Sequence, residues 1–288
     1  MSTRKGIARY CENIYKTLAI LRYHRNSIVI VQNPSAVLAG LAALVRPLLG
    51  YTLVVDAHNA GIHHPSPHVQ RINRFVIRAA DHVVVTNNAL ATFVTSEGGS
   101  PLILPDPLPQ FAQTGKADLA TSNTARVLFI CTWATDEPYF EVFKAAKLMP
   151  QVQFLVTGFS KDREKQFGES LPGNILLTGY LPDEDYENLL HEVKIIIDLT
   201  TRQDCLVCGA YEAVAAETPL ITSNSQALQN YFCRGTLFTD NSAESIALSI
   251  KKMLEQYAEM KSEISEFKQQ LEANWCEQLN VVKHQLGC

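Results

Sequence analysis

The sequence predicts an α/β fold with parallel sheets, on three observations. First, short and nearly continuous Val/Ile runs recur along the chain. They are SIVIVQ (27–32), YTLVVDA (51–57), DHVVVT (81–86) and PLILP (101–105), then RVLFIC (126–131), VQFLVTG (152–158), NILLTG (174–179), KIIIDLT (194–200), PLITS (219–223) and GTLFT (235–239). Strands covered on both faces read as unbroken apolar runs, whereas half-exposed strands alternate. Second, the runs are followed by small or polar residues and then by segments of helical pattern, the rhythm of βα units. Third, 288 residues that are 47% hydrophobic and 19% charged suffice for two medium cores and exclude a disordered or fibrous chain.

Taken in order, residues 4–25 form a basic helix. Arg4, Lys5, Arg9, Lys16, Arg22 and Arg25 stand against Glu12 alone, interleaved with Ile7, Tyr10, Ile14, Tyr15, Leu18, Ile20 and Leu21. Such a helix is either a solvated face or a peripheral contact with an anionic membrane surface. Four strand runs follow, giving a first domain over 1–110. The stretch DPLPQFAQTGKADLATSNTA (106–125) breaks the pattern with prolines, glycine and small polar residues, so 111–125 reads as a linker. Six further runs over 126–260 make a complete doubly wound domain. Its helices are expected at Pro138 to Met149, Asp183 to Val193 and Asn241 to Tyr257, the last opened by an N-x-x-E cap at Asn241 and Glu244. A long helix closes the chain over 261–288.

The net charge of −4 conceals an asymmetry: residues 1–125 carry 11 Lys/Arg against 6 Asp/Glu (+5), and residues 126–288 carry 14 against 23 (−9). The longest apolar run, AVLAGLAALV (36–45), falls short of the roughly 20 residues that span a bilayer. The N-terminus has basic residues without an apolar stretch behind them, so no signal peptide is expected. Seven cysteines without a spacing framework fit reduced thiols, and the expectation is a cytoplasmic protein, with the inner face of the membrane as its one peripheral site. No G-x-G-x-x-G follows any strand, which removes a nicotinamide cofactor, and nothing supports nucleic acid binding.

The stretch DCLVCGAYE (204–212) poses a choice between thiols and carboxylates. Cys205 and Cys208 have C-x-x-C spacing but no second ligand pair for zinc, and they follow the fourth strand of their domain rather than the first, so loop packing is expected. Asp204 falls in the loop after the strand, and Glu212 in the first turn of a helix opened by Gly209 and running from Ala210 to Glu217. Helix N–H groups suit a diphosphate and carboxylates suit sugar hydroxyls, a combination that matches a nucleotide-sugar. In HNAGIHHPSPH (58–68) the prolines point to a solvated loop rather than a metal site, while His58 alone ends a strand. Asp56 either orients that ring or caps the next loop. Asp136, Glu137, Asp183, Glu184 and Asp185 are read as helix-start acids.

LTTRQDCLVCGAYEAVAAETPLITS (199–223) resembles the acid-x7-acid motif of GT-B glycosyltransferases of the group 1 (family 4-like), bacterial surface-polysaccharide type. TGYLPDEDYENLL (178–190) resembles the family loop that meets the nucleotide base, and VVDAHN (54–59) the first-domain strand ending in a His. The resemblance implies two Rossmann-like domains and transfer of a sugar from a nucleotide-sugar to a glycan or lipid-linked acceptor, without a cofactor or metal. It implies that Asp204 meets the donor sugar, that Glu212 holds the ribose, that His58 reaches the transferred sugar, and that Gly179 and Tyr180 meet the base. It also implies that the closing helix crosses back to the first domain.

The chain departs from the family in three respects. The first acid is Asp rather than Glu. The Arg and Lys that grip the diphosphate are replaced by FICTWATDEPYFEV (129–142), closer to the segment of the eukaryotic beta-mannosyltransferase that builds lipid-linked oligosaccharides, which leaves Arg202, Lys161, Arg163 or the N–H groups of Thr132 and Trp133 for that task. The first domain lacks its usual opening strands, so either the chain is truncated, or strand 27–32 is an apolar edge that a partner subunit or a second copy covers. That shortfall keeps open a non-catalytic nucleotide-sugar-binding or partner subunit of the same fold. A sugar-nucleotide 2-epimerase shares the fold, but its acid and His pattern is not evident.

Overall fold

A computed structural model describes residues 7–33, 35–57, 59–111, 124–158, 167 and 171–287. The chain divides into two compact units, Met1–Asp106 with Trp275–Cys288, and Pro107–Asn274. Of the expected linker, 112–123 lie outside the described residues.

The first unit holds a four-stranded parallel sheet in the order β1 (Ile28–Gln32), β2 (Thr52–Asp56), β3 (His82–Val85), β4 (Pro101–Ile103). The run PLILP contributes only its first three residues as a strand. Side chains of one face (Val31, Leu53, Val55, Val83, Val85) share a core with Ala39, Ala42 and Ala43 of α2 (Ala36–Leu49). Alanines there let the helix approach closely, and the Tyr51 hydroxyl ties it down by donating to the Ala42 carbonyl at 2.5 Å. The helix stops at Gly50, which takes a left-handed conformation (φ 70°) that a Cβ would oppose and donates its N–H to Arg46 O. The basic helix α1 spans Ile7–Tyr23 and packs on α2, and α2 packs on α4 (Pro67–Ala79). α3 (Asn59–Ile62) and α5 (Asn88–Ser96) complete the unit.

The second unit holds six parallel strands: β5 (Ala125–Phe129), β6 (Val152–Thr157), β7 (Ile175–Gly179), β8 (Ile195–Asp198), β9 (Leu220–Ser223) and β10 (Thr236–Thr239), in the order β10-β9-β8-β5-β6-β7. Both faces are covered. Phe129, Phe154, Ile195 and Ile197 pack with α6 (Tyr139–Leu148) and α10 (Ala243–Glu255), while Leu128, Leu155, Ile196 and Leu220 pack with α7 (Asp183–Glu192), α8 (Cys208–Ala215) and α9 (Gln226–Tyr231). This double cover explains why the runs in the sequence are continuous.

Two helix starts differ from the sequence expectation. α10 is capped by Ser242, whose hydroxyl accepts the Ser245 N–H, and not by Asn241. Asn241 instead adopts φ 68° and bridges two loops, accepting from the Ser223 hydroxyl at 2.8 Å and donating to Thr200 O at 3.1 Å. The closing helix α11 begins at Tyr257, four residues before Lys261, and runs to Leu286. Ile264, Phe267 and Leu271 belong to the second unit's core, whereas Trp275 donates its indole N–H to Pro105 O at 2.9 Å within the first unit.

Candidate functional site

An open parallel sheet binds ligands beyond the carboxyl ends of its strands, most readily where the strand order reverses. In the second unit that point lies between β5, which leads on to β6 and β7, and β8, which leads on to β9 and β10. The loops after these two strands are joined by Asp136. Its carboxylate accepts from the Thr200 hydroxyl at 2.8 Å and from the Arg202 guanidinium at 3.0 Å, and its carbonyl accepts the Thr201 N–H at 2.8 Å.

Its neighbour Glu137 turns back into the β5 loop. Its carboxylate accepts the Thr132 N–H at 2.9 Å, the Thr132 hydroxyl at 2.6 Å and the Ala134 N–H at 3.0 Å, and lies 3.2 Å from the Cys131 thiol. Asp136 and Glu137 therefore act on loops rather than as helix-start acids: α6 begins only at Tyr139, after Pro138. Two of the groups expected to face a diphosphate, Arg202 and the Thr132 N–H, already hold carboxylates of the chain itself.

The last residue of β8, Asp198, is buried and sits against the start of α8, where its carboxylate accepts the N–H groups of Gly209 and Ala210. Burial pushes its carboxyl well above the ordinary carboxylate range; Glu137 and Glu212 push it the same way, and the two N–H groups oppose them. Gly209 is required for this approach, since a Cβ there would lie 2.6 Å from the Asp198 carboxylate and 2.7 Å from the Ile130 side chain.

Glu212 stands two residues, about half a turn, further into α8 than expected, because the helix begins at Cys208 and not at Ala210. Its carboxylate accepts the hydroxyl of Tyr186, on α7, at 2.5 Å. Burial raises the Glu212 carboxyl against the lowering effect of that hydrogen bond, and burial together with Glu212 raises the Tyr186 phenol. The Tyr186 hydroxyl thus holds one carboxylate oxygen of Glu212 in a fixed direction. Asp204 lies half-buried in the loop before α8.

At the far end of the same sheet edge, Gly179 closes β7 with φ 69°, and the Tyr180 ring is exposed beyond it. Trp133 also has positive φ, 64°, but its ring packs beside Tyr139, Phe143 and Phe167, so it anchors the β5 loop from within. His58, Lys161 and Arg163 lie outside the described residues. The structure therefore gathers Thr132, Arg202, Asp204, Gly209 and Glu212 around the loops of β5 and β8, and sets Gly179 and Tyr180 at the end of β7.

Cys205 and Cys208 are not joined by a disulfide; burial pushes the Cys205 thiol up to about 11, and Cys208 is exposed, so loop packing rather than a bonded pair describes them. Among the described residues, no group of three or more His, Cys, Asp or Glu is arranged to hold a metal ion.

Sequence reasoning missed Tyr186 and Asp198. Tyr186 is 26 residues from Glu212 and meets it only through the packing of α7 on α8. Asp198 reads in the sequence as the polar end of the run KIIIDLT.

Comparison with known proteins gives the same architecture. The family model described as Glycosyl transferases group 1 matches residues 117–271, more than half of the chain. A sucrose-phosphate synthase from Thermosynechococcus elongatus superposes with a TM-score of 0.76 at 17% identity, over 99% of this chain and 80% of that one. The Anabaena protein HepE in complex with UDP and glucose gives 0.76 at 14%, over 96% and 83%. The alpha,alpha-trehalose 6-phosphate synthase of Burkholderia multivorans gives 0.70 at 15%, over 99% and 78%. At these identities the likeness is one of fold: two Rossmann-like domains with parallel sheets. No curated protein matches the chain in sequence.

Proposed function

This chain belongs to the glycosyl transferases group 1 family, and from that premise we propose how it grips its donor. It is a nucleotide-sugar-dependent glycosyltransferase of GT-B fold. In the proposed reading Glu212 accepts hydrogen bonds from the ribose hydroxyls, and Asp204 accepts them from the sugar that is transferred. Gly209 keeps the start of α8 open to the donor, and Tyr180, with the turn at Gly179, provides a surface for the base. His58 is the proposed further contact of the transferred sugar. The observation that carries this reading is the Tyr186–Glu212 hydrogen bond of 2.5 Å beside the strand-order reversal, because it fixes an acid in one orientation at the edge where such sheets take ligands.

In the reaction the bond between the anomeric carbon and the diphosphate oxygen breaks, the acceptor hydroxyl forms the new bond and loses its proton, and the nucleoside diphosphate leaves with its charge stabilised. Arg202, Lys161, and the loop at Thr132 and Trp133 are the proposed source of that stabilisation, and no metal is required. Since Arg202 holds Asp136, the donor must exchange with that carboxylate. The acceptor class is a glycan or lipid-linked precursor, met at the inner membrane face by a peripheral contact through residues 4–25. HepE is held with UDP and glucose, so a UDP-sugar is the first donor to test.

Incubating the purified chain with UDP-, GDP- and dTDP-sugars and measuring release of the nucleoside diphosphate tests the reading. Slow hydrolysis of one donor, lost in Asp204→Ala, is expected. Binding without release would instead make the chain a non-catalytic subunit, and neither binding nor release from any donor would remove the site.

A further inference from the structure

We propose that the outer surface of α1, α2 and α4 is a docking face for an anionic lipid bilayer, with α2 rather than the basic helix at its centre. This rests on the membrane part of the function proposed above and not on the donor site.

The starting observation is α2 itself. Its fourteen residues, AVLAGLAALVRPLL, contain a single charge, Arg46, and that side chain turns inward to the Asp81 carboxylate and the Ala79 carbonyl. The helix has no charged group left for its outer side. A helix that is apolar all round is normally buried on every side or in contact with lipid. This one buries Ala39, Ala42 and Ala43 and leaves Val37, Leu44 and Leu48 in the open, with Leu44 66% and Leu48 83% exposed. Val37, Leu41, Leu44 and Leu48 recur at the spacing of one helix face and make a stripe about 16 Å long at 1.5 Å per residue.

The flanking helices extend the stripe. On one side, α1 and α2 enclose a groove of about 330 Å³ lined by Ile14, Thr17 and Ile20 of α1 and by Val37 and Leu41 of α2. On the other side α4 closes in at Gly40, where a Cβ would lie 3.1 Å from Ile72 Cγ2, and it exposes Ile72 and Phe75. Tyr15 (75% exposed) and Tyr23 (85% exposed) on α1 supply rings with one apolar and one wet end, suited to a lipid headgroup zone.

Charge selects the occupant. The three helices carry one acid, Glu12, against seven bases; Lys16 is paired with Glu12 at 2.5 Å, Arg46 with Asp81, and Arg74 and Arg78 with Glu97, which leaves three bases for the rim. Arg9, Arg22 and Arg71 are exposed on the rim. An apolar centre with a cationic rim complements an anionic headgroup layer. A second copy using the same face would bring two cationic rims together with only Glu12, already paired with Lys16, to meet them, so self-association there is disfavoured. Among the described residues no helix is long and apolar enough to cross a membrane, so the contact lies in the plane of the interface.

The test is flotation of the full chain with vesicles of phosphatidylcholine and phosphatidylglycerol, against phosphatidylcholine alone, with UDP-sugar binding measured on the same samples. The chain should float with the anionic vesicles, several-fold less with the neutral ones and less again in high salt. The double variant Leu44→Glu, Leu48→Glu should lose at least tenfold in partitioning while keeping its donor affinity and melting temperature, and Arg22→Glu should lose less. No flotation, or flotation that the double variant leaves unchanged, overturns the proposal. So does a dimer in ultracentrifugation that the double variant dissociates, because a second copy would then be the occupant. Donor binding reports separately on the donor site, so either reading can fail alone.

Discussion

The carboxyl edge of the six-stranded sheet and the outer face of α1, α2 and α4 face opposite physical problems. At the sheet edge, polar groups are buried or half-buried, and they are held by one another: Asp198 by two N–H groups, Glu212 by Tyr186, Glu137 by the β5 loop, Asp136 by Thr200 and Arg202. On the helix face, apolar groups are exposed, and the one charge of α2 is held by the Asp81 carboxylate and the Ala79 carbonyl. Burying a polar group and exposing an apolar one both cost free energy. The first arrangement fixes directions for a ligand that hydrogen-bonds, and the second keeps a surface ready for one that does not. The difference teaches that binding potential can be read from where a chain bears either cost.

Breaking the sheet edge most severely is a matter of one methyl group. Gly209→Ala should abolish donor binding, because its Cβ would sit 2.6 Å from the Asp198 carboxylate, and overpacking of this kind costs about 1–3 kcal/mol. Thermal denaturation together with donor titration measures both effects, while the vesicle partitioning of the helix face should not change.

Tyr186→Phe comes next. It removes the hydroxyl that orients Glu212, and a lost hydrogen bond to a charged group amounts to about 1.5–3 kcal/mol, so calorimetry should find donor affinity reduced by roughly tenfold or more.

A milder probe uses protons. Asp198 and Glu212 have carboxyls raised above their unfolded values, chiefly by burial. Their contribution to stability is fully present below the unfolded carboxylate range and is lost as the pH rises through the raised values. The melting temperature should therefore fall over that window, and Glu212→Gln should flatten the fall. A slope unchanged in Glu212→Gln would remove Glu212 from this account.

The smallest expected change sharpens the comparison instead of breaking it. The Arg202–Asp136 pair is partly exposed, and such pairs contribute about 0–1 kcal/mol. Asp136→Asn frees Arg202 and should tighten donor binding only a few-fold, visible as a lower KM for the donor with kcat little changed.

Much of the fold was legible in the sequence, because parallel strands covered on both faces require unbroken Val/Ile runs and each of the ten runs became a strand. That Asp204 falls in the loop after β8 and Glu212 in the helix that follows was legible from the same alternation of runs and helical segments. The start of α8 was misjudged by two residues because Gly209 suggested a helix boundary, while the glycine serves the approach of Asp198 inside the first turn. Contacts between distant elements left no local trace. Nothing near Tyr186 announces Glu212, and Asp136 and Glu137 have the spacing of helix-start acids although their carboxylates turn to Thr200 and to the β5 loop. The outward stripe of α2 was hidden for another reason: an apolar run gives no sign of which side the alanines take.

The most direct test of the central claim, that the carboxyl edge of the six-stranded sheet grips a nucleotide-sugar through Glu212, is isothermal titration of UDP-sugars into the wild-type chain and into Glu212→Ala. Wild-type binding, weakened at least tenfold in the variant while the fold is retained by circular dichroism, is the predicted result. Equal affinity of the two proteins for the donor would contradict it.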